Sequence, residues 1–309
     1  MVKSHRIVQV VFAALVVVAS SVFADINQDL IVAASNGDLT QLQSLINRGA
    51  DVNAKDNFGW TPLMRAVEKS AQEKTRALLD HGADVNLKNK SGGTALTIAA
   101  QKDNVDFIPL LISRGADLNA KDDLGWTALT WATVFGHVNA VNVLLKQPKV
   151  DVNAKSPDGW TALFMAADKG LAEIAEVLLG HGADANTKNN GGGTPLRVAA
   201  QNGFVAVVKV LLSHGAKVDQ KGKSGVTALM MAAAGGHADV VQALLAQNAG
   251  VNVQDEGGST ALTWAAGKGR ADVVQLLISR GADVNVKSNS GSTALTWSSN
   301  ADVALMLLD

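Results

Sequence analysis

Apolar residues in this chain recur at helical spacings within a short segment that is then repeated. In TALFMAADKGLAEIAEVLLGHGADANTKNN, which begins at Thr161, residues Leu163, Ala166 and Ala167 are spaced as one face of a short helix. The apolar positions of AEIAEVLLG form the stripe of a second helix. Gly170 lies between the two stripes, and polar residues fill the remainder. This pattern predicts a pair of short helices followed by a polar turn.

The threonine that opens this segment recurs at a nearly constant interval. Eight threonines mark the repeat: Thr61, Thr94, Thr127, Thr161, Thr194, Thr227, Thr260 and Thr293. The interval is 33 residues throughout, except for 34 between Thr127 and Thr161. A fixed period in this range is typical of stacked repeats. Since one helix pair cannot bury its apolar faces alone, we expect stability to come from the interfaces between neighbouring repeats.

The repeated unit, T-[PA]-L-x-x-A-A-x-x-G-x-x-x-[IV]-[VA]-x-x-L-L-x-x-G-A-D-V-N, resembles the ankyrin repeat. The resemblance covers essentially all of residues 25–309. It implies an all-α solenoid of about nine stacked helix-turn-helix repeats with projecting β-hairpins. We expect an N-terminal capping repeat over 25–57, full repeats from about 58 to 291, and a truncated C-terminal capping repeat over 292–309.

The first 24 residues do not follow the repeat. Lys3 and Arg6 precede the apolar run IVQVVFAALVVVA, and Val22 and Ala24 place small side chains where a signal peptidase would cleave. The run is too short to span a membrane, which takes about 20 apolar residues. We therefore expect a cleaved secretory signal peptide over 1–24, with an uncleaved anchor as the alternative. The mature protein, from Asp25, would be periplasmic or secreted.

Composition excludes several classes of function. Without Lys3 and Arg6, 25 basic residues face 28 acidic ones, which leaves a formal net charge of −3. This balance favours neither nucleic acid nor an anionic membrane as a partner. The chain has no cysteine, which excludes disulfides, thiolate metal sites and cysteine nucleophiles. No cofactor motif interrupts the repeat register, so we expect no cofactor, no metal and no enzymatic activity.

Three repeats depart from the pattern at residues that affect the backbone. Ser70 and Asp103 replace the glycine between the helices, and Asn248 replaces the glycine that ends a second helix. Asparagine is the usual second choice for that left-handed position. Pro109 falls inside a second helix that we expect to begin at about Asn104, where proline removes a hydrogen bond and clashes with the preceding turn. A kink or a weak repeat is predicted there.

The resemblance implies that recognition uses the concave face, formed by the projecting tips and the first helices. Three tryptophans, Trp60, Trp126 and Trp160, occupy the slot just before the repeat threonine, where a row of exposed aromatic rings is typical of a binding surface. The alternative is that these rings pack over neighbouring tips. The other candidate binding residues, at the tips and just after the paired alanines, are Phe58, Leu124, Val134, Phe135, Lys69 and Lys169.

Other periodic residues have structural interpretations. Trp131, Trp264 and Trp297 share a slot with Ile98 and are expected in the core. One lysine per tip forms a ladder that we interpret as a solvated edge. The histidines recur too far apart to share a zinc ion.

The sequence therefore predicts a monomeric scaffold that binds another protein on its concave face. An exported effector that acts in another cell and, less favoured, an enzyme remain as alternatives.

Overall fold

The computed structural model describes residues 26–308, which form pairs of short helices joined by turns. The first pair spans residues 26–36 and Leu39–Asn47. The first helices of the later repeats are Pro62–Glu68, Ala95–Gln101, Ala128–Val134, Ala162–Lys169, Pro195–Gln201, Ala228–Gly235, Ala261–Gly267 and Ala294–Trp297. Their second helices are Gln72–Asp80, Phe107–Ser113, Val138–Leu145, Ala172–Gly180, Val205–Ser213, Ala238–Ala246, Ala271–Ser279 and Ala301–Met306. The predicted signal peptide lies outside the described residues.

The repeat threonine begins the first helices because its side chain caps them. Thr61 Oγ1 accepts a hydrogen bond from the backbone N–H of Met64 at 3.2 Å, and Thr161 does the same for Phe164 at 3.4 Å. This satisfies a backbone donor that has no partner within the helix. Pro62 occupies the first helical position, where a missing N–H costs nothing. The repeat threonine is therefore the N-cap of these helices.

The described residues divide into two compact units, with the boundary between Ala132 and Thr133. Within the described part of the first unit, the helix Pro62–Glu68 packs against Ala95–Gln101 and against its own partner Gln72–Asp80. In the second unit, successive first helices pack on each other from Ala162–Lys169 to Ala294–Trp297, and the second helices form a parallel layer. Leucines between the layers, such as Leu163 and Leu178, are fully buried. The prediction of an all-α repeat fold of stacked helix pairs is confirmed.

In five repeats the asparagine of the D-x-N segment is hydrogen-bonded to the repeat that follows it. Asn186 donates from Nδ2 to the carbonyl of Gly215 at 3.0 Å and accepts at Oδ1 from the N–H of Lys217 at 2.8 Å. The same pair of hydrogen bonds, one donated and one accepted by the side-chain amide, recurs at Asn53, Asn86, Asn153 and Asn252. Because a side-chain amide offers a donor and an acceptor on two separate atoms, these asparagines fix the register of neighbouring repeats.

The lysine ladder is a second set of links between repeats. Lys55 Nζ donates to the carbonyl of Lys88 at 2.8 Å, and Lys88 Nζ donates to the carbonyl of Lys121 at 2.7 Å. In the second unit, Lys188 and Lys221 make the equivalent bond to the following repeat. The lysines are exposed, as the sequence predicts for a solvated edge, but each ammonium also caps a backbone carbonyl.

The projecting tips are tight turns rather than the β-hairpins implied by the resemblance, and residues 26–308 contain no β-strand. At one tip, the N–H of Asp122 bonds to the carbonyl of Trp126 at 3.1 Å, and Asp122 Oδ1 accepts from the N–H groups of Leu124 and Trp126. A single backbone bond, from Asp123 N–H to the carbonyl of Ser91, joins this tip to the previous one. Too few backbone groups are paired to form a strand ladder.

The predicted kink at Pro109 is wrong because the helix begins later than expected. Residues 104–106 form a turn, and the helix spans Phe107–Ser113, two residues shorter at its start than the equivalent helix Val205–Ser213. Pro109 is therefore the third helical residue, where its missing N–H has no partner to lose. Ser70, Asp103 and Asn248 do take the left-handed conformation of the glycines that they replace, with φ of 55°, 54° and 60°.

One repeat lacks the asparagine that makes this pair of hydrogen bonds, which leads to a stability prediction. Asp219 stands where the other repeats carry asparagine, and both of its carboxylate oxygens accept from the N–H of Gly250 at 3.1 and 3.0 Å. A carboxylate has no N–H for the carbonyl of Asn248, which holds the register position of Gly215. We expect Asp219→Asn to raise the free energy of unfolding by about 0.5–1.5 kcal/mol.

Urea unfolding at neutral pH measures this change. The matched control is Asn186→Asp, which removes the same donor from a repeat that has it and should destabilise by a similar amount. Equal midpoints for Asp219→Asn and the parent chain would contradict the assignment.

Candidate functional site

Four residues of the first unit surround a groove beneath the tips. The aromatic groove is defined here by Trp60, Gly93, Leu124 and Trp131, which line a cavity of about 440 Å³. The remaining lining residues are Asn89, Ser91, Thr97, Ile98, Gln101, Asp122 and Asp123. A cavity of this size lies within the roughly 300–1,000 Å³ that is usual for binding pockets. The groove therefore has the size and the apolar walls of a ligand site.

Trp60 forms one wall of the groove and is held in place by charged neighbours. The guanidinium of Arg65 lies 4.4 Å from the centre of the Trp60 ring, as a cation-π contact. Arg65 also pairs with Asp56 at 2.6 Å, and Asp56 accepts from the backbone N–H of Trp60 at 2.9 Å. A second cavity, of about 490 Å³, is also lined by Trp60, together with Phe58, which is 68% exposed. Trp60 therefore lines both cavities and is held in place by its neighbours.

The electrostatic environment of Asp56 favours its ionised form. Partial burial on its own would raise the pKa of Asp56. The hydrogen bond from Arg65, the backbone N–H groups of Trp60 and Phe58, and the positive charge of Arg65 outweigh burial, so the pKa of Asp56 is lowered from its ordinary value. This carboxylate is charged at neutral pH and holds Arg65 over the tryptophan.

Trp131 forms the opposite wall, and its position corrects a sequence-based expectation. We expected this residue in the core, but it is half-buried, and its indole Nε1 donates to Asp122 Oδ2 at 2.7 Å. Trp126 packs edge-on against it, with ring centroids 4.7 Å apart. Trp126 thus supports the wall from behind and does not line the cavity. Leu124 completes this side, 55% exposed at the tip.

The other two tryptophans of the same slot also lie outside the core. Trp264 is half-buried and donates to Asp255 Oδ2 at 3.0 Å, and Trp297 is 51% exposed. Both expectations were therefore wrong. Trp131 and Trp264 each donate to the acidic residue nine positions earlier, at the tip of their own repeat, whereas Trp297 has Ser288 at that position. Arg65 occupies the same slot in its own repeat. A charged residue in this slot is the sequence signal that could have placed the slot at the surface.

Gly93 forms the floor of the aromatic groove. It occupies the slot that Trp60, Trp126 and Trp160 fill in other repeats, and its lack of a side chain opens the space between the two walls. A Cβ added at Gly93 would come no closer than 3.4 Å to its neighbours, the side-chain atoms of Asn89. The glycine is therefore not required by the backbone, and the groove depends on the absence of a side chain at this position.

The predicted binding residues are distributed over both units. Phe58, Trp60 and Leu124 border the two cavities of the first unit, whereas Lys69 is exposed and lines neither. In the second unit, Trp160 packs on the buried ring of Phe164, with centroids 5.3 Å apart. The remaining predicted residues of that unit are Val134, which is half-buried, Phe135, which is 53% exposed and stacked on His137 at 5.9 Å, and Lys169, which is exposed.

The described residues show no arrangement for metal chemistry. No group of three or more His, Cys, Asp or Glu side chains within residues 26–308 could hold a metal ion. His81, His181 and His214 each place Nδ1 within 2.8–3.0 Å of the carbonyl four residues earlier, so they cap the ends of second helices. Among the helices of this same part of the chain, none combines the length and apolarity that crossing a membrane requires.

Comparison with known proteins adds a family match and one relative that matches over a short stretch. The family model described as ankyrin repeats (3 copies) matches residues 30–122, 86–156, 110–189, 148–222, 179–255 and 229–309. A 43-residue stretch is 46% identical to the 2-5A-dependent ribonuclease of Mus musculus. That stretch is 14% of this chain, and it spans only 6% of the ribonuclease.

The lowered pKa of Asp56 predicts how acid affects the groove. A carboxylate whose pKa is lower in the folded state stabilises the protein above its unfolded value, about 3.9, and this contribution is lost as the pH falls through the folded pKa. Asp56→Asn should therefore lower the urea midpoint at pH 7. The difference in urea midpoint between this variant and the parent chain should narrow by pH 3. Arg65→Gln, which removes the hydrogen bond and the charge of Arg65 but leaves the backbone N–H groups of Trp60 and Phe58, should also weaken the pH dependence of the urea midpoint. A gap that stays constant from pH 7 to pH 3 would refute this account.

Proposed function

Because the chain belongs to the ankyrin-repeat family, we propose that it is a protein-binding scaffold whose partner inserts apolar side chains into the aromatic groove. The observation that carries this proposal is the pair of tryptophan walls, Trp60 and Trp131, on either side of Gly93. Tryptophans that border a cavity are the residues most enriched among binding hot spots. Phe58 and Leu124 extend the apolar surface onto the tips, where both are more than half exposed.

The walls of the groove are fixed before a partner arrives. Asp56 and Arg65 hold Trp60, while Asp122 and Trp126 hold Trp131. Ordering side chains on binding costs roughly 0.5–1.5 kcal/mol for each flexible one, so a preformed wall reduces that cost. The mechanism is equilibrium binding to a rigid surface, with no covalent step.

Charged groups around the groove have both signs. Asp122 and Asp123 line the groove itself, and Arg65 and Lys90 line the adjoining cavity. Such a mixed rim favours a partner with an apolar centre and polar surroundings over a strongly charged polymer. In the second unit, Trp160, Phe135, Val134 and Lys169 are proposed as further contacts, and Trp126 and Lys69 as contacts in the first. The scaffold would act as a monomer.

The amino-terminal pattern supports a location outside the cytoplasm. We place the mature scaffold in the periplasm or outside the cell, where it needs no disulfide because the repeat interfaces supply its stability. An exported effector would use the same surface on a target in another cell. An enzymatic role has no observation in its favour, since every polar residue considered has a role within the repeat.

Filling the groove provides a direct test of the binding surface. Gly93→Trp places in this slot the residue that three other repeats carry there, so we expect stability to change by no more than about 0.5 kcal/mol. The added ring would occupy the space between Trp60 and Trp131. Retention of the partner on immobilised residues 25–309 should fall by at least about tenfold, the loss of a single hot-spot interaction.

Two further variants separate binding from folding. Phe58→Ser alters an exposed side chain and should weaken retention while the melting temperature stays unchanged. Lys102→Ala is the matched control, since it changes an exposed residue that does not line the groove. A partner retained equally by the parent chain and by Gly93→Trp would place the site elsewhere on the surface.

Processing of the amino terminus tests the proposed location. We expect the protein from the periplasm or the medium of a Gram-negative host to begin at Asp25, because cleavage follows Ala24. Replacing Ala24 with a bulky residue should block this cleavage. Amino-terminal sequencing after fractionation measures both outcomes, and a cytoplasmic chain that retains residues 1–24 would exclude the secretory route.

A further inference from the structure

A further aromatic cavity lies in the second unit, between the last two repeats, neither of which carries a predicted binding residue. Trp264 and Trp297, from the last two repeats, line a cavity of about 410 Å³ together with Asp255, Gly267 and Lys268. The C-terminal cavity, defined by these five residues, contains none of the residues of the aromatic groove. The C-terminal cavity is therefore a separate site from the aromatic groove.

Trp264 is a fixed wall of the C-terminal cavity. Its indole Nε1 donates to Asp255 Oδ2 at 3.0 Å, and Asp255 Oδ1 accepts from the N–H groups of Gly257 and Ser259 at 2.9 and 2.8 Å. These three bonds anchor the carboxylate within the tip. A negative charge consequently lies beside the ring, at the edge of the cavity.

Trp297 is the second wall, and it lacks the support that Trp264 has. The residue nine positions before it is Ser288, whose hydroxyl bonds to Ser290 and to the N–H of Ser292 instead. Within residues 26–308 the indole N–H of Trp297 has no hydrogen-bond partner, and 51% of the side chain is exposed. A large aromatic ring that is half exposed and unclamped at a cavity is suited to cover a ligand.

Gly267 keeps the floor of the cavity open. The equivalent positions in four other repeats hold residues with a side chain, namely Glu68, Gln101, Val134 and Asp168. A Cβ at Gly267 would already lie 3.4 Å from the ring of Trp297. The glycine thus gives a ligand access to the faces of both tryptophans.

We propose that the C-terminal cavity binds an alkylated ammonium cation, of which choline is the simplest probe. The face of a tryptophan ring carries negative electrostatic potential and attracts a cation, and the attraction grows when the cation sheds water easily, as an alkylated ammonium does. Its methyl groups suit the apolar walls, and the carboxylate of Asp255 complements its charge. An inorganic cation finds no set of oxygen ligands here.

Lys268 is the one charged group of this cavity that opposes a cation. It is exposed, so solvent and salt screen its charge, and its flexible stem allows the ammonium to turn away. The carboxylate of Asp255, by contrast, is held by three hydrogen bonds. Lys268 therefore lowers the affinity for the cation without abolishing binding. Removal of its charge should consequently strengthen binding.

The test titrates choline and its uncharged isostere 3,3-dimethylbutan-1-ol into purified residues 25–309, with calorimetry and tryptophan fluorescence as readouts. Choline should bind saturably and the isostere at least about fivefold more weakly, which is the share of the charge in a cation-π contact. Trp297→Leu should weaken choline binding by about fivefold or more, and Lys268→Gln should strengthen it about twofold. Phosphatidylcholine vesicles as a second probe distinguish a lipid headgroup from a free solute.

Trp131→Leu is the matched control, since it removes the tryptophan of the same slot in the first unit and should leave choline binding unchanged. Circular dichroism checks that each variant keeps its helices. Equal affinity for choline and the isostere would show an apolar cavity only and overturn the proposal. So would the absence of saturation, or choline binding that Trp297→Leu leaves intact.

Discussion

A single helix pair of this chain leaves one apolar face uncovered, and every other feature depends on the neighbour that covers it. The leucines and paired alanines of each first helix are buried only because another repeat packs against them. Packing of this kind does not define the register, since small alanines fit together at several offsets. The amide of Asn186 and its counterparts define it, because a donor and an acceptor on one side chain meet two fixed backbone groups of the next repeat. Hydrophobic burial therefore supplies stability, and the asparagines supply the geometry on which any site must rely.

At three tips, one acidic residue both supports the turn and holds a neighbouring side chain. An acidic residue at the start of a tip accepts from the backbone of the turn, and its second oxygen remains available for the slot four residues after the repeat threonine. Asp56 uses that oxygen for Arg65, Asp122 for Trp131 and Asp255 for Trp264. Each pair fixes a side chain at the surface without a dedicated supporting element. Where the acidic residue is replaced, as at Ser288, the tryptophan of that repeat is left without a partner among residues 26–308.

The sequence predicted the helix pairs and the left-handed residue at Asn248 because those features depend on local spacing. Thr161 caps its helix, and Asn248 takes the left-handed conformation, since both effects act within a few residues. The failures concern packing between elements. Pro109 was expected to kink a helix, but the chain delays the helix start, a choice that the periodic pattern does not encode. Trp131 was assigned to the core by comparison with Ile98, because the period shows that two positions are equivalent but not which way they face.

The aromatic groove and the C-terminal cavity show how a repeat array can form cavities at positions on which its stability does not depend. In the aromatic groove, Gly93 replaces a tryptophan in the slot before the repeat threonine, and in the C-terminal cavity, Gly267 replaces a longer side chain after the paired alanines. Neither glycine has a positive φ, so the backbone does not demand it at either site. Stability resides in the asparagine links and the buried leucines, which these slots do not touch. Side chains in the slots can therefore change from repeat to repeat, and in both of these cavities a glycine lines the space together with two tryptophans.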